Sequence, residues 1–132
     1  MNSKYSAYAP VIVRIALGIL FVWFSILQFT NPIMWTGFVP QFVADLLGGA
    51  HLLVIMNAWF ELVAGLMLIA GFQTRIISLL LALHLFGIAG SIGLKPLGLR
   101  DFALSFATLS ITFAGADVWT LDRWFVRKNS IQ

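Results

Sequence analysis

The sequence predicts an all-α integral membrane protein: a four-helix transmembrane bundle with an amphipathic helix on the outer surface between spans one and two. Three observations carry this. The 132-residue chain is 61% hydrophobic and 10% charged, whereas a soluble domain carries about 25% charged residues to clothe its water-facing surface. Its mean hydropathy is +0.97. Four apolar windows, at about 11–29, 52–71, 76–94 and 102–119, are each long enough to cross most or all of a hydrocarbon core of about 30 Å at ~1.5 Å per residue. The chain is expected to form one membrane domain over 1–132, without repeats or low-complexity segments.

Span one follows Lys4 and superficially resembles a signal peptide. No small-residue cleavage site follows it and three further spans do, so an uncleaved anchor is expected. The link over about 30–51 is the longest. Pro32 and Pro40 punctuate it and Gly48-Gly49 close it. Within it Trp35, Phe38, Val39, Phe42, Val43, Leu46 and Leu47 recur at i, i+3, i+4, i+7, i+8. That spacing predicts an amphipathic helix over about 35–47 on the outer membrane surface, serving either as an interfacial anchor or as a lid over the access route of a lipid-soluble ligand.

Span two is almost wholly apolar but holds Glu61 about ten residues from either end, roughly 15 Å from both interfaces. A charge at that depth costs about 2.5–3.5 kcal/mol on the insertion scale, so the side chain needs a partner or a function. Span three carries His84. Span four opens on Arg100-Asp101, with Asp101 placed to cap its N-terminus.

Basic residues set the expected orientation. Lys4, Arg14, Arg75, Arg123, Arg127 and Lys128 fall on the side of the termini, against Lys95 and Arg100 on the other. This excess predicts cytoplasmic N- and C-termini and makes the net charge of +3 a topology signal rather than a nucleic-acid footprint; no nucleic-acid partner is expected. The chain has no cysteine, which excludes thiolate-bound iron–sulfur clusters, c-type haem attachment and disulfides within it. Its two histidines, His51 and His84, sit at different depths, so a bis-histidine haem is not expected. No metal site and no intrinsic cofactor are predicted.

Polar and small residues line one stripe of each span: Arg14, Gly18, Phe21, Ser25 and Gln28; Asn57, Glu61 and Gly65; His84, Gly87 and Ser91; Asp101, Ser105, Thr108 and Thr112. Four such stripes imply four inward faces and a polar bundle core. By depth, Arg14, Thr74, Arg75 and Asp117 form a candidate ion-pair cluster near the cytoplasm, and Glu61 and His84 share the middle. Gln28, Asn57, Arg100 and Asp101 lie toward the outer side. Arg14 is within reach of Glu61 by an extended side chain. The candidate ligand- or proton-handling residues are therefore Glu61, His84, Arg14, Asn57 and Gln28, and the candidate structural ion pairs involve Arg75, Asp117, Arg100 and Asp101. For Glu61, an interhelical hydrogen-bond hub stands beside a ligand-binding or proton-relaying role; for His84, core packing stands beside ligand contact.

The run ELVAGLMLIAGFQTR, 61–75, resembles the E-x-x-x-G…G-x-x-T-R signature of the DoxX family of small four-helix membrane proteins. RIALGILFVWFSILQ, 14–28, is similar to that family's first helix and LRDFALSFATLSITFAGADVWTLD, 99–122, to its last; WTGFVP, 35–40, is similar to one branch. Ser25 and Gln28 depart from the usual glycine and lysine. The resemblance implies a multi-pass protein of a bacterial-type inner (cytoplasmic) membrane, related to the membrane subunit of thiosulfate:quinone oxidoreductase. It implies two-electron chemistry with a quinone, Glu61 and His84 handling protons and Arg14 tuning them. A non-catalytic accessory or assembly subunit of a larger membrane complex is the alternative, and a proton-coupled carrier a third. The partners implied are membrane lipids and other membrane subunits, or further copies of the chain.

Overall fold

A computed structural model describes residues 3–130, and the side chains of residues 5–130. Lys4, counted above for orientation, lies outside the described side chains. Four long helices cross the bundle: α2 (Ala9–Thr30), α4 (Ala50–Ala70), α5 (Thr74–Ile92) and α6 (Pro96–Ala114). They follow a short turn of helix, α1 (Ser3–Ser6). All four are long and apolar enough to cross a membrane. Among the described residues there is no strand. The side where α2 begins and α6 ends is called here the terminal side, the other the distal side.

Local chemistry sets each boundary. Pro10 sits in the first turn of α2, where its missing N–H costs nothing, and Pro32 follows its end. Gly71 adopts φ +70° just after α4; the Gly71 N–H donates to the Leu68 carbonyl and the Phe72 N–H to that of Met67. This is a Schellman closure. Pro96 opens α6 and Gly115, at φ +69°, ends it. Span four is thus displaced from the expected 102–119 toward the N-terminus. Asp101 lies inside the helix and does not cap it.

The link also differs from expectation. Instead of one helix over 35–47, a 3-10 helix spans Pro32–Phe38 and a short α3 spans Gln41–Leu46. Pro40, at φ −59° and ψ 133°, lies in the extended region and separates them. After α6 the chain turns into α7 (Leu121–Asn129), an amphipathic helix that the hydrophobic windows did not resolve.

The long helices pack as two pairs, α2 with α4 and α5 with α6, and the pairs meet more loosely. Gly18 and Gly65 let α2 and α4 close together: a Cβ on Gly65 would lie 3.1 Å from the Gly18 carbonyl oxygen. Between α5 and α6, Ser78 Oγ and Thr112 Oγ1 lie 2.9 Å apart. Phe86, Phe102 and Phe106 stack edge to face there. The interior is not polar throughout: Leu17, Phe21, Ala64, Leu68, Ile77, Leu81, Leu85 and Ile111 form one apolar core. Some buried hydroxyls satisfy themselves within their own helix, as Ser105 does on the Asp101 carbonyl and Thr108 on that of Leu104. Ile12, Ile19, Trp23, Met56, Trp59, Leu83 and Phe113 are exposed on the outside, a coat suited to lipid and untenable in water.

Candidate functional site

Two stations, one at each side of the bundle, hold the polar residues. On the terminal side Arg14 is 1% exposed, and all five of its N–H donors are placed. Nε and Nη2 meet the Asp117 carboxylate at 2.7 and 3.3 Å, Nη1 donates to the Leu68 and Ile69 carbonyls at 2.6 Å each, and Nη2 also donates to the Trp119 carbonyl at 3.0 Å. Those of Leu68 and Ile69 belong to the last turn of α4, the negative end of its dipole. Beside this pin, Asp122 accepts the Gln73 and Thr74 N–H groups at 2.6 and 2.7 Å and the Thr74 hydroxyl at 2.8 Å. A residue 48 positions downstream thereby caps α5. Gly71 completes the station, since a Cβ there would lie 2.6 Å from Thr120.

Two expectations are corrected here. Arg14 does not reach Glu61; it is consumed by Asp117 and the carbonyls around it. Asp117 takes Arg14 as its partner, not Arg75, whose Nε lies against Gly115 instead, 2.6 Å from where a Cβ would sit. Of the E-x-x-x-G…G-x-x-T-R run, Gly65, Gly71, Thr74 and Arg75 are thus accounted for by packing, and Glu61 alone faces elsewhere.

Glu61 faces a cavity of about 580 Å³ in the distal half, lined by residues of both helix pairs. Phe24 and Gln28 of α2 wall it, with Leu53, Val54, Asn57 and Glu61 of α4, Leu83, His84, Leu85, Gly87, Ile88, Ser91 and Ile92 of α5, and Leu97, Arg100 and Asp101 of α6. The Trp35–Val43 part of the link closes it. Phe24, Trp35 and Phe38 meet in tilted and edge-to-face contacts at 6.0 and 6.1 Å. The walls are overwhelmingly apolar; the polar groups gather at two levels.

At the inner level, Gln28 Nε2 donates to Glu61 Oε2 at 2.7 Å, and Asn57 Nδ2 donates to Gln28 Oε1 at 2.8 Å. Asn57 and Glu61 are four apart, so they share a helix face; Gln28 reaches them from the neighbouring helix. This chain of amides fixes one carboxylate oxygen. The other, Oε1, lies 3.5 Å from His84 Nε2. His84 Nε2 is buried without a hydrogen-bond partner, and the ring is held edge-on to Phe60 with centroids 4.9 Å apart. An oxygen-bearing ligand group beside this contact would find an imidazole nitrogen without a hydrogen bond and a carboxylate oxygen that no amide holds. A buried polar atom left unpaired costs about 1–3 kcal/mol, so the site gains when such a group fills it.

At the outer level, Arg100 pairs with Asp101 at 2.8 Å and lies 4.8 Å from the Phe24 ring centroid. This expected ion pair therefore borders the cavity. Glu61, His84, Gln28 and Asn57 come together as the sequence suggested. Trp35 and Phe38, placed by the sequence in a surface helix that either anchors or covers, are cavity walls. The capping role of Asp122 was not foreseen; the sequence clue was a Thr-Arg pair just after a glycine that ends a span. Among the described residues no group of three or more His, Asp or Glu side chains could hold a metal ion.

The DoxX family model matches residues 9–94, from the start of α2 through the end of α5. No curated protein and no solved structure gives a significant match. The match takes in both sides of the Glu61–His84 gap and leaves α6 and α7 outside it.

Proposed function

The chain belongs to the DoxX family of membrane proteins, and from that premise we propose that it is a redox-associated membrane subunit whose distal cavity receives the head of a quinone. One observation carries the reading: an apolar cavity of about 580 Å³ ends on His84 Nε2, which has no hydrogen-bond partner and lies 3.5 Å from Glu61 Oε1. The volume lies within the roughly 300–1,000 Å³ of small-ligand pockets, and apolar walls with a few convergent polar groups are their usual make-up.

When bound, a quinone would supply a two-electron, two-proton couple. The residues supply the rest. Phe24, Trp35, Phe38 and Val43 exclude water and flank a planar ring. His84 Nε2 donates a hydrogen bond to a ligand oxygen or accepts one from it. Glu61 Oε1 stands beside it to hold the exchanged proton. Gln28 and Asn57 hold the carboxylate in place. The cysteine-free chain has no thiolate for an iron–sulfur cluster, so electrons come from a partner subunit or from a reductant bound at the quinone. The excess of basic residues on the terminal side supports cytoplasmic termini and a cavity opening toward the opposite leaflet.

The test is a titration of the purified chain with a short-tailed benzoquinone, following tryptophan fluorescence. Trp35 is the tryptophan that lines the cavity, so saturable quenching is expected and Trp35→Phe should remove most of it. Quenching that never saturates, or that the alkyl tail alone reproduces, would sink the proposal.

A further inference from the structure

The α7 helix presents a second site, independent of the quinone reading. Along LDRWFVRKN, Leu121, Trp124 and Phe125 fall at i, i+3, i+4 and make an apolar stripe. Arg123 and Arg127 are one turn apart on the flank beside it. The helix is fixed to the bundle at its start: the Asp122 N–H donates to the Gly71 carbonyl at 3.1 Å while its carboxylate caps α5. Its orientation is therefore set by the ends of two membrane spans, at the terminal-side boundary of the bundle.

Between α7 and the preceding loop lies a groove of about 270 Å³, lined by Val118, Thr120, Arg123, Trp124 and Arg127. Neither guanidinium has an ion-pair or hydrogen-bond partner among the described residues. The acids that could neutralise them are occupied: Asp117 by Arg14, and Asp122 by the first turn of α5. Lys128 is also taken, lying 5.4 Å from the Trp124 ring centroid. Two unpaired cations thus face one small groove whose remaining walls include a valine and an indole. Two cations and apolar surface lining one groove match an anionic phospholipid: a phosphate between the two guanidiniums, with acyl chains leaving along Val118 and Trp124.

We propose that this groove binds the phosphate headgroup of an anionic phospholipid of the terminal-side leaflet. Each basic residue near an anionic membrane surface contributes about fivefold in affinity, so removing both guanidiniums is expected to weaken retention about thirtyfold, the equivalent of about 2 kcal/mol.

The experiment uses the full chain in mild detergent, loaded with phosphatidylglycerol or phosphatidylcholine, with bound lipid counted by native mass spectrometry. Wild type should retain one phosphatidylglycerol in preference to phosphatidylcholine, and Arg123→Gln/Arg127→Gln should lose that preference while keeping the wild-type unfolding midpoint. Lys128→Gln is the control for bulk charge and should retain the lipid. Three results would overturn the proposal: equal retention of the two lipids by wild type, an equal loss in Lys128→Gln, or displacement of phosphatidylglycerol by millimolar inorganic phosphate, which would make the groove a site for the free anion.

Discussion

Replacing Asp117 with alanine removes the carboxylate that neutralises Arg14, and the structure sets the size of the effect. Two of the five donor contacts of Arg14 go to Asp117, and three go to the Leu68, Ile69 and Trp119 carbonyls. In the variant a guanidinium 1% exposed keeps its carbonyl acceptors but loses its counter-charge. Breaking a buried ion pair from one side costs about 3–5 kcal/mol. The carbonyls at the negative end of α4 offset about 0.5–1 kcal/mol of this, so a loss of roughly 3 kcal/mol is expected. Arg14→Leu alone should cost a similar amount by stranding Asp117. The double variant strands neither charge, so its loss should fall short of the sum of the singles by about 2 kcal/mol or more. Reversible unfolding in mixed sodium dodecyl sulfate micelles measures all three. An Asp117→Ala variant within about 0.5 kcal/mol of wild type, or a strictly additive double variant, would refute the reasoning.

Three further outcomes are expected. Glu61→Gln should fold normally, because an amide oxygen still accepts from Gln28 Nε2, and bind quinone within about fivefold of wild type; any quinone-linked turnover should fall about 100-fold or more through loss of the proton acceptor, as steady-state kinetics in proteoliposomes would show. His84→Leu should lower quinone affinity about five- to tenfold, the worth of one hydrogen bond, in the same fluorescence titration. Gly71→Ala should destabilise by roughly 2 kcal/mol or more, since alanine pays the left-handed penalty and its Cβ would meet Thr120; mixed-micelle unfolding measures it.

Much of the fold was legible because membrane spans declare themselves by length. Spans one to three were found within a few residues, and the four-residue spacing of Asn57 and Glu61 put both on one inward face of span two. Span four was misplaced because its first turn, Pro96 to Arg100, mixes proline, glycine and a charge, while helix α6 needs only that Pro96 sit at its start. The link broke in two at Pro40 although its apolar periodicity runs straight through, since periodicity does not register a fixed φ. The sequence placed Arg14 and Asp117 in one cluster, and they pair, but it left Glu61 open as a second partner for Arg14. Counting residues along two spans does not fix where so long a side chain ends; the folding back of residues 115–120, which brings Asp117 and the Trp119 carbonyl to Arg14, does. The same holds for Asp122 and Thr74, joined across 48 positions. In the motif, Glu61 was read as the chemical candidate and Arg75 as a structural one, and the structure adds Gly65, Gly71 and Thr74 to the packing residues beside Arg75.

Photo-labelling tests that division most directly. A photoreactive short-tailed quinone, irradiated on the membrane-embedded chain and mapped by peptide mass spectrometry, should label Trp35, Asn57 and the Gly87–Ser91 stretch. An excess of unmodified quinone should suppress those labels. Labels confined to the lipid-facing Ile19, Trp23 and Phe113, or cavity labels that excess quinone leaves unchanged, would contradict the account.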